Sequence, residues 1–435
     1  MPRIISGIFL SIVSCACFSG SLFSQIPKTK EKLTEPLSEP ATNYQEGVMG
    51  KIFGCITIPL SKGPLVLLPV LDSSRDLGPN FGIMPLWAIK DKQKNTVTSV
   101  MAPSVNYNKY LKTTITHRHY VFPDNKSIFV FRGAYSQEVE REFIFYYYTP
   151  QLFRKNLRIS AETKRWVTGK PSFYGFGIDS IEDDKTNYAL HMTGEEFTVD
   201  LPLFGNFFFD FTHSYYAKKI SRGPLEENQT NKFAQEFAAA SAGKDFVTHR
   251  LALLYDDTDH PFLPTTGTNA SFSIGFSNRF FGSDYDYRTY SAELKHYYNY
   301  GNRGKFVTAA RCLVQWQEGG DLPFYGRIQL GESTGLRMAG DGRFTDRGKF
   351  VFNIEERIRV SRASFLKFLV SEFELAPFLD VGTVFPKLSE FKASDLKFGP
   401  GVAFRIVLRP QVVGTADIAF GSEGANAIIK IGYPF

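Results

Sequence analysis

Beyond its N-terminal stretch the chain has no run of about 18 apolar residues, which excludes a second helical membrane span. Cysteine is scarce, at four. Cys15 and Cys17 fall in the N-terminal apolar stretch, and Cys55 and Cys312 are far apart and lack metal-ligand spacing. That excludes a disulfide framework or a zinc centre and leaves either one disulfide or two thiols. No block of five or six basic residues occurs, and the net charge of +6 is spread among both signs. Such a distribution describes solvated loops and a polar interior, not a nucleic-acid surface. The 7 histidines are scattered. His117 and His119 share a strand face and read as solvated or lumen-facing rather than as metal ligands. Asp256, Asp257 and Asp259 lack the spacing of a dedicated calcium loop and read as a strand-end turn. No Ser–His–acid order and no phosphate-binding glycine loop are visible, so neither catalysis, a metal nor a cofactor is expected.

What the chain has in excess is aromatic residues: 42 Phe and 21 Tyr bring the aromatic share to 15%, against an ordinary 43% apolar overall. An aromatic-rich chain without apolar helices suits a membrane barrel, in which only alternate side chains meet lipid. A soluble all-β protein is the competing reading of composition alone.

Arg3 precedes an apolar segment from Ile4 to about Phe18, followed by Ser19, Gly20, Ser21, Ser24 and Gln25. This is the layout of a secretory signal over residues 1–24, cleaved between Ser19 and Gln25. Ile12-Val13-Ser14-Cys15 also resembles a lipoprotein cleavage box, which would lipidate Cys15. Residues 25–62 form a polar leader, too short for a core of its own.

From residue 63 to Phe435 the pattern is period two, broken by Gly, Asp, Asn, Pro and Ser. Ile429, Ile431, Tyr433 and Phe435 share one face, with Lys430 and Gly432 on the other. Val412, Gly414, Ala416, Ile418 and Phe420 alternate with Val413, Thr415, Asp417 and Ala419; Phe398, Val402 and Phe404 alternate with Gly399, Gly401 and Arg405. One apolar face opposed by small and charged residues is what a lipid-facing wall around a polar lumen requires. The expected fold is an all-β, antiparallel transmembrane barrel of about 16 strands. The segments near 144 and 160 are expected to be continuous with their neighbours. The final Phe435 closes the last strand, an ending common in outer-membrane barrels.

Four motifs carry a family resemblance. Gly335-Leu336-Arg337-Met338-Ala339-Gly340 stands before Asn353-Ile354-Glu355-Glu356-Arg357; Phe378-Leu379-Asp380-Val381-Gly382 follows. Upstream lie Phe173-Tyr174-Gly175-Phe176-Gly177 and the Asp256–Gly267 turn with its Pro261-Phe262-Leu263-Pro264. In this order they resemble the BamA/TamA-type outer-membrane assembly barrels, or bacterial surface antigens, over roughly Pro64 to Phe435. The first matches that family's Arg-Gly-aromatic loop signature, except that Met338-Ala339 replaces Gly-aromatic. The resemblance implies a barrel-only member without the periplasmic domains that usually precede the barrel. It also implies a long loop folded into the lumen, a role in outer-membrane biogenesis or protein or lipid translocation, and client outer-membrane or secreted proteins as partners beside membrane lipid.

Parity places Asp380 in the lumen with Glu372, Glu374, Ala376, Phe378 and Gly382. Asn353, Glu355, Arg357 and Arg359 share the inner face of the preceding strand, which leaves Glu356 facing lipid. A guanidinium can bridge carboxylates through paired hydrogen bonds. Arg337, next to Gly340 at the tip of a loop of about 30 residues, is therefore expected to dock on Asp380 or Glu355 and tie the loop down. Pro69 in the first strand and Pro434 in the last lack N–H donors, and Gly432 adds freedom beside Phe435, so the closing seam reads as weak. A passive channel, predicting a water-filled pore, and an outer-membrane hydrolase, predicting Ser or Asp beside His at the rim, are the alternatives. The pattern sets no oligomeric state.

Overall fold

The computed structural model describes residues 57–74, 77–91, 96–124, 127–152, 157–225, 233–260, 263–300, 305–366, 369–409, 412–431 and 433–435. The signal, most of the leader, Cys15, Cys17, Cys55, Pro261, Phe262 and Gly432 lie outside the described residues.

Chain order is pairing order. β1 (Thr57–Leu60) folds back onto β2 (Gly63–Ser74), which pairs with β3 (Gly78–Asp91). β4 (Thr96–Met101) and β5 (Ser104–Asn108) are two halves of one course between β3 and β6 (Lys112–Val121). The break falls at Ala102-Pro103, where proline has no N–H to give a ladder. β7 (Ile128–Ser136), β8 (Arg141–Thr149) and β9 (Arg158–Thr168) follow as hairpins. β9 pairs with β11 (Thr186–Pro202), and the short β10 (Ser172–Phe173) lies on the start of β11. Next come β12 (Phe207–Arg222), β13 (Lys244–Asp256), β14 (Gly267–Ser277), β15 (Tyr287–Asn299) and β16 (Phe306–Glu318). α1 (Ala234–Ser241) interrupts the β12–β13 connection. β17 (Ile328–Leu330) and β18 (Phe344–Asp346) make a separate small hairpin within the following loop. β16 pairs across that loop with β19 (Gly348–Leu366), and β20 (Leu369–Phe385), β21 (Lys397–Arg409), β22 (Val412–Gly421) and β23 (Gly424–Ile431) complete the wall. Every strand ladder among the described residues is antiparallel, and β23 comes round beside β2. The chain is an all-β barrel.

Burial alternates over much of the wall, as along β6, β7, β8 and the first half of β19. Phe81, Phe131, Phe145, Phe272, Phe404 and Ile418 are exposed on the outside. Inside, charges meet in pairs: Arg132 with Glu142 at 2.9 Å, Lys164 with Glu162 at 2.7 Å, Arg311 with Glu293 at 2.7 Å. Apolar outside and ion-paired inside is the arrangement a bilayer imposes, since lipid offers charges no solvation. Glu356 does face outward; Thr308 donates to its Oε2 at 2.7 Å, and the aromatic pair Tyr300 and Phe306 lies at the adjacent strand ends.

Three expectations need correcting. The segments near 144 and 160 are separate hairpin strands, β8 and β9, because the turn at Pro150 and Gln151 ends the first. His117 and His119 flank the buried Arg118 and therefore point out of the barrel, beside Phe131, with His119 bonded to Ser99 Oγ at 2.7 Å. Residues 57–60, within the span read as leader, form β1 along the edge of β2. No ladder between β2 and β23 occurs among the described residues. The third correction concerns the C-terminus. Tyr433 and Phe435 do not share the outward face of Ile429. The strand ends at Ile431, before Pro434, and the chain then turns into the lumen, where the Tyr433 hydroxyl donates to both carboxylate oxygens of Glu374 at 3.0 and 2.9 Å. Phe435 packs on Tyr297 and Ala309. A phenol that can satisfy a buried carboxylate gains more there than in hydrocarbon.

The outward face makes a direct prediction. Phe404→Arg places a cation near the middle of β21 and costs about 2–4 kcal/mol of stability in a bilayer. Leu388→Arg, at an equally exposed apolar residue of the 386–396 loop, costs nearly nothing; unfolding of both variants from lipid vesicles checks the pair.

Candidate functional site

The connection between β16 and β19, residues 319–347, does not stay outside the barrel. Its base is closed by the β17–β18 hairpin, and Leu330, Leu336, Met338, Ala339 and Phe344 form one buried cluster with wall residues that include Val351, Ala376 and Phe378. Burial of this many apolar side chains moves the loop inward; polar contacts then fix where its tip rests.

At that tip Arg337 is 1% exposed. Its Nε and Nη2 donate to the two oxygens of Asp380, each at 2.8 Å, and its backbone N–H donates to Asp380 Oδ2 at 3.0 Å. Nη1 lies 3.4 Å from Asp417 Oδ2 and 3.5 Å from Glu355 Oε2. The Phe378 ring lies beneath the guanidinium, 3.3 Å from its centroid to Cζ. Two-pronged donation to one carboxylate with a third contact from the main chain leaves little rotational freedom.

The inward-facing residues Asn353, Glu355, Arg357, Phe378, Asp380 and Gly382 of the two wall motifs build this arrangement. Asn353 donates from Nδ2 to Gly335 O at 2.7 Å and to Asp380 Oδ1 at 2.8 Å. Glu355 accepts from Arg357 Nε at 2.7 Å and from Arg405 at 3.1 and 2.7 Å. Arg357 also donates to Pro264 O at 3.3 Å, tying in the turn that carries Asp257 and Asp259. Both of those carboxylates are engaged within that turn, by Thr268 and by Thr265 and Thr266. On β20, Phe378 stacks, Asp380 pairs, and Gly382 leaves room for Leu330, whose Cδ2 a Cβ there would approach to 3.2 Å.

Shape complements charge. Met338, which stands where the related signature has glycine, is fully buried over Gly399 and Gly421; a Cβ on either would come within 2.9 and 2.6 Å of its side chain. Gly340 itself has no left-handed backbone; its carbonyl oxygen lies where a Cβ on Gly331 would sit, at 2.2 Å. The Phe173–Gly177 element meets the same loop: Gly177 N donates to Thr345 O at 2.9 Å, and Arg343 bonds Ser180 and Glu423. An aromatic layer of Phe173, Tyr188, Phe246, Phe324 and Tyr325, with Ala240 of α1, covers the loop rim of the lumen.

Sequence reasoning did not assign Arg405, Asp417, Asn426 or Glu374 to the site. Asn426 donates to Arg337 O at 2.9 Å and to Glu332 at 3.1 Å. For Arg405, Asp417 and Glu374 the signal was a charge at an inward position, and Asn426 carried none. Of the expected seam residues, Pro69 lies inside β2 opposite Ile83, Pro434 lies past the end of β23, and Gly432 is outside the described residues. Neither lies beside Arg337. Two Ser–His pairs, Ser99 with His119 and Ser221 with His191 at 2.8 Å, sit on the outer face, and no carboxylate bonds either ring among the described hydrogen bonds. Among the described residues no group of three or more metal-ligating side chains gathers, and Cys312 is a free thiol.

Two substitutions test this geometry. Arg337→Gln leaves buried carboxylates on three strands without their shared cation and destabilises by about 3–5 kcal/mol, read by chemical unfolding. Gly331→Ala drives a methyl into the Gly340 carbonyl, which cannot rotate away, and makes residues 331–345 susceptible to protease while the wall stays intact.

An Omp85 superfamily domain matches residues 95–410. No curated protein matches the chain. Among solved structures, BamA from Haemophilus ducreyi lacking POTRA domains 1-3 is similar with a TM-score of 0.51 at 12% identity, covering 85% of this chain and 74% of that one. CdiB from Acinetobacter baumannii aligns at 10% identity and a TM-score of 0.42, over 86% of this chain and 60% of its own. CdiB from Escherichia coli does so at 8% and 0.44, over 83% and 60%. The chain thus spans less than two thirds of either CdiB. At these identities the BamA likeness is one of fold, while the domain match covers most of the wall and the whole lumen loop. This chain belongs to the Omp85 superfamily and is a multi-pass β-barrel of the outer membrane.

Proposed function

We propose that this barrel serves outer-membrane biogenesis, handling a protein or lipid client in the membrane, and that the Arg337–Asp380 contact is a lock that keeps the lumen loop in its working position. The observation that carries the reading is that the lumen is occupied. Residues 330–344 fill it with apolar side chains and an ion-paired tip, and an aromatic layer covers the loop rim. A solute pore needs a continuous wet path, and this plug opposes one. The family resemblance supplies the client class: outer-membrane or secreted proteins, with membrane lipid alongside.

The seam supports the same reading. β2 and β23 run side by side without a ladder among the described residues, and β1 lies along the edge of β2. An edge that is not fully paired is where an extended client segment gains backbone hydrogen bonds. In this reading the locked loop stiffens β19, β20 and β22 while the seam yields.

Depleting the protein from cells is expected to lower the levels of other outer-membrane barrels; unchanged levels together with ion conductance of the purified wild-type barrel would establish a channel instead. The lock has its own test. Arg337→Asp and Asp380→Arg each abolish complementation of the depleted strain, and combining them restores part of it. Failure of the double variant to recover anything, while it folds normally, counts against direct pairing. Disulfides joining β2 to β23 are expected to stop function, and full activity with the strands joined would remove the seam from the mechanism.

A further inference from the structure

Glu355 is the point at which the loop tip meets the C-terminus. On one side its Oε2 lies 3.5 Å from Arg337 Nη1. On the other, its Oε1 accepts from Arg357 Nε at 2.7 Å, and the Arg357 guanidinium lies 3.6 Å from the centroid of the Tyr433 ring. Arg405 reaches both: it donates to both Glu355 oxygens and lies 5.0 Å from the same ring. Tyr433 is anchored further by Glu374, and packs with Val407 and with Leu263 of the turn whose Pro264 carbonyl accepts from Arg357. Beyond it Phe435 is buried against Tyr297 and Ala309, across the lumen from its own strand.

We infer that the lumen loop and the C-terminal segment Tyr433–Phe435 are energetically coupled through Glu355 and Arg357, so that releasing either one loosens the other. The inference deepens the lock reading and rests on it. The cause is charge balance in a site with little water. Arg337, Arg357 and Arg405 face Glu355, Asp380 and Asp417. Withdrawing Arg337 leaves surplus negative charge at Glu355 and Asp417, which draws the two remaining guanidiniums inward. Arg357 has a donor to spare for that shift, since its Nη2 has no hydrogen-bond partner among the described residues while Nε and Nη1 hold Glu355 and Pro264. Its movement uncovers the Tyr433 ring and weakens the hold on the C-terminal segment. The reverse also holds, because coupling between two sites is reciprocal: losing Tyr433 releases Arg357 toward Glu355 and disturbs the contact with Arg337. The tripeptide that lies past the end of β23 is thereby an internal latch that registers the state of the loop.

The test uses the full chain folded in lipid vesicles, with Cys15→Ser, Cys17→Ser, Cys55→Ser and Cys312→Ala removing background thiols and Pro434→Cys as a reporter. Heat-modifiable migration on gels confirms that each variant is folded. Arg337→Gln is expected to raise maleimide labelling at position 434 by about fivefold or more, the lower end of ordinary coupling. With Pro434 intact, Tyr433→Ala is expected to raise protease cleavage of residues 331–345 by a similar factor, and Tyr433→Phe, which keeps the ring, by less. Cleavage of the loop without faster labelling in Arg337→Gln overturns the coupling and leaves the lock standing. A loop that stays protected in Arg337→Gln overturns the lock itself, and the coupling with it.

Discussion

A single guanidinium, held between carboxylates inside a barrel, orders much of what surrounds it. Asp380, Glu355 and Asp417 stand on three strands and point at one another across a space with little water. Their mutual repulsion would force the wall apart or their protonation, because buried charge is tolerated only when paired. Arg337 reaches all three from outside the wall, pairing closely with Asp380, while Arg357 and Arg405 of the wall hold Glu355. The loop is therefore a structural part of the lumen, and the positions of β19, β20 and β22 depend on a residue that belongs to none of them.

Charge alone would not hold a loop of this length. Ordering each residue has an entropic cost of about 1–2 kcal/mol, and the offset comes from burial of Leu330, Leu336, Met338 and Phe344 together with close backbone contacts. Those contacts depend on missing side chains: Gly331 admits the Gly340 carbonyl, and Gly399 and Gly421 admit Met338. The loop tip is thus shaped for methionine, and the wall glycines are spaced to receive it. A departure from the related signature at one site is matched by clearance at two others.

Much of this was legible in the sequence because period two is unforgiving: a strand with one apolar and one polar face can be set in a barrel wall in only one way. Parity alone put Asp380, Glu355 and Arg357 inside and Phe404 and Ile418 outside. Arg405 and Asp417 carried the same signal and were legible as inward charges, but no sequence rule tells which inward charges converge across three strands. Parity failed at Tyr433 because the strand had already ended; alternation has no meaning once the ladder stops, and a phenol near Glu374 outweighed the lipid-facing pattern of Ile429. It failed near residues 144 and 160 because alternation by itself does not say where one strand stops and the next begins; Phe143–Tyr148 belong to β8, and the polar-patterned β9 begins at Arg158. His117 and His119 show the reverse case: their polarity suggested the lumen, whereas the buried Arg118 between them decides the face.

Hydrogen exchange on the unmodified protein is the most direct measurement of whether the loop tip is held in the lumen. The Arg337 amide donates to Asp380, and its neighbours are buried, so peptides spanning 331–345 are predicted to exchange as slowly as those of β20. Exchange as fast as that of the exposed 386–396 loop would contradict the account.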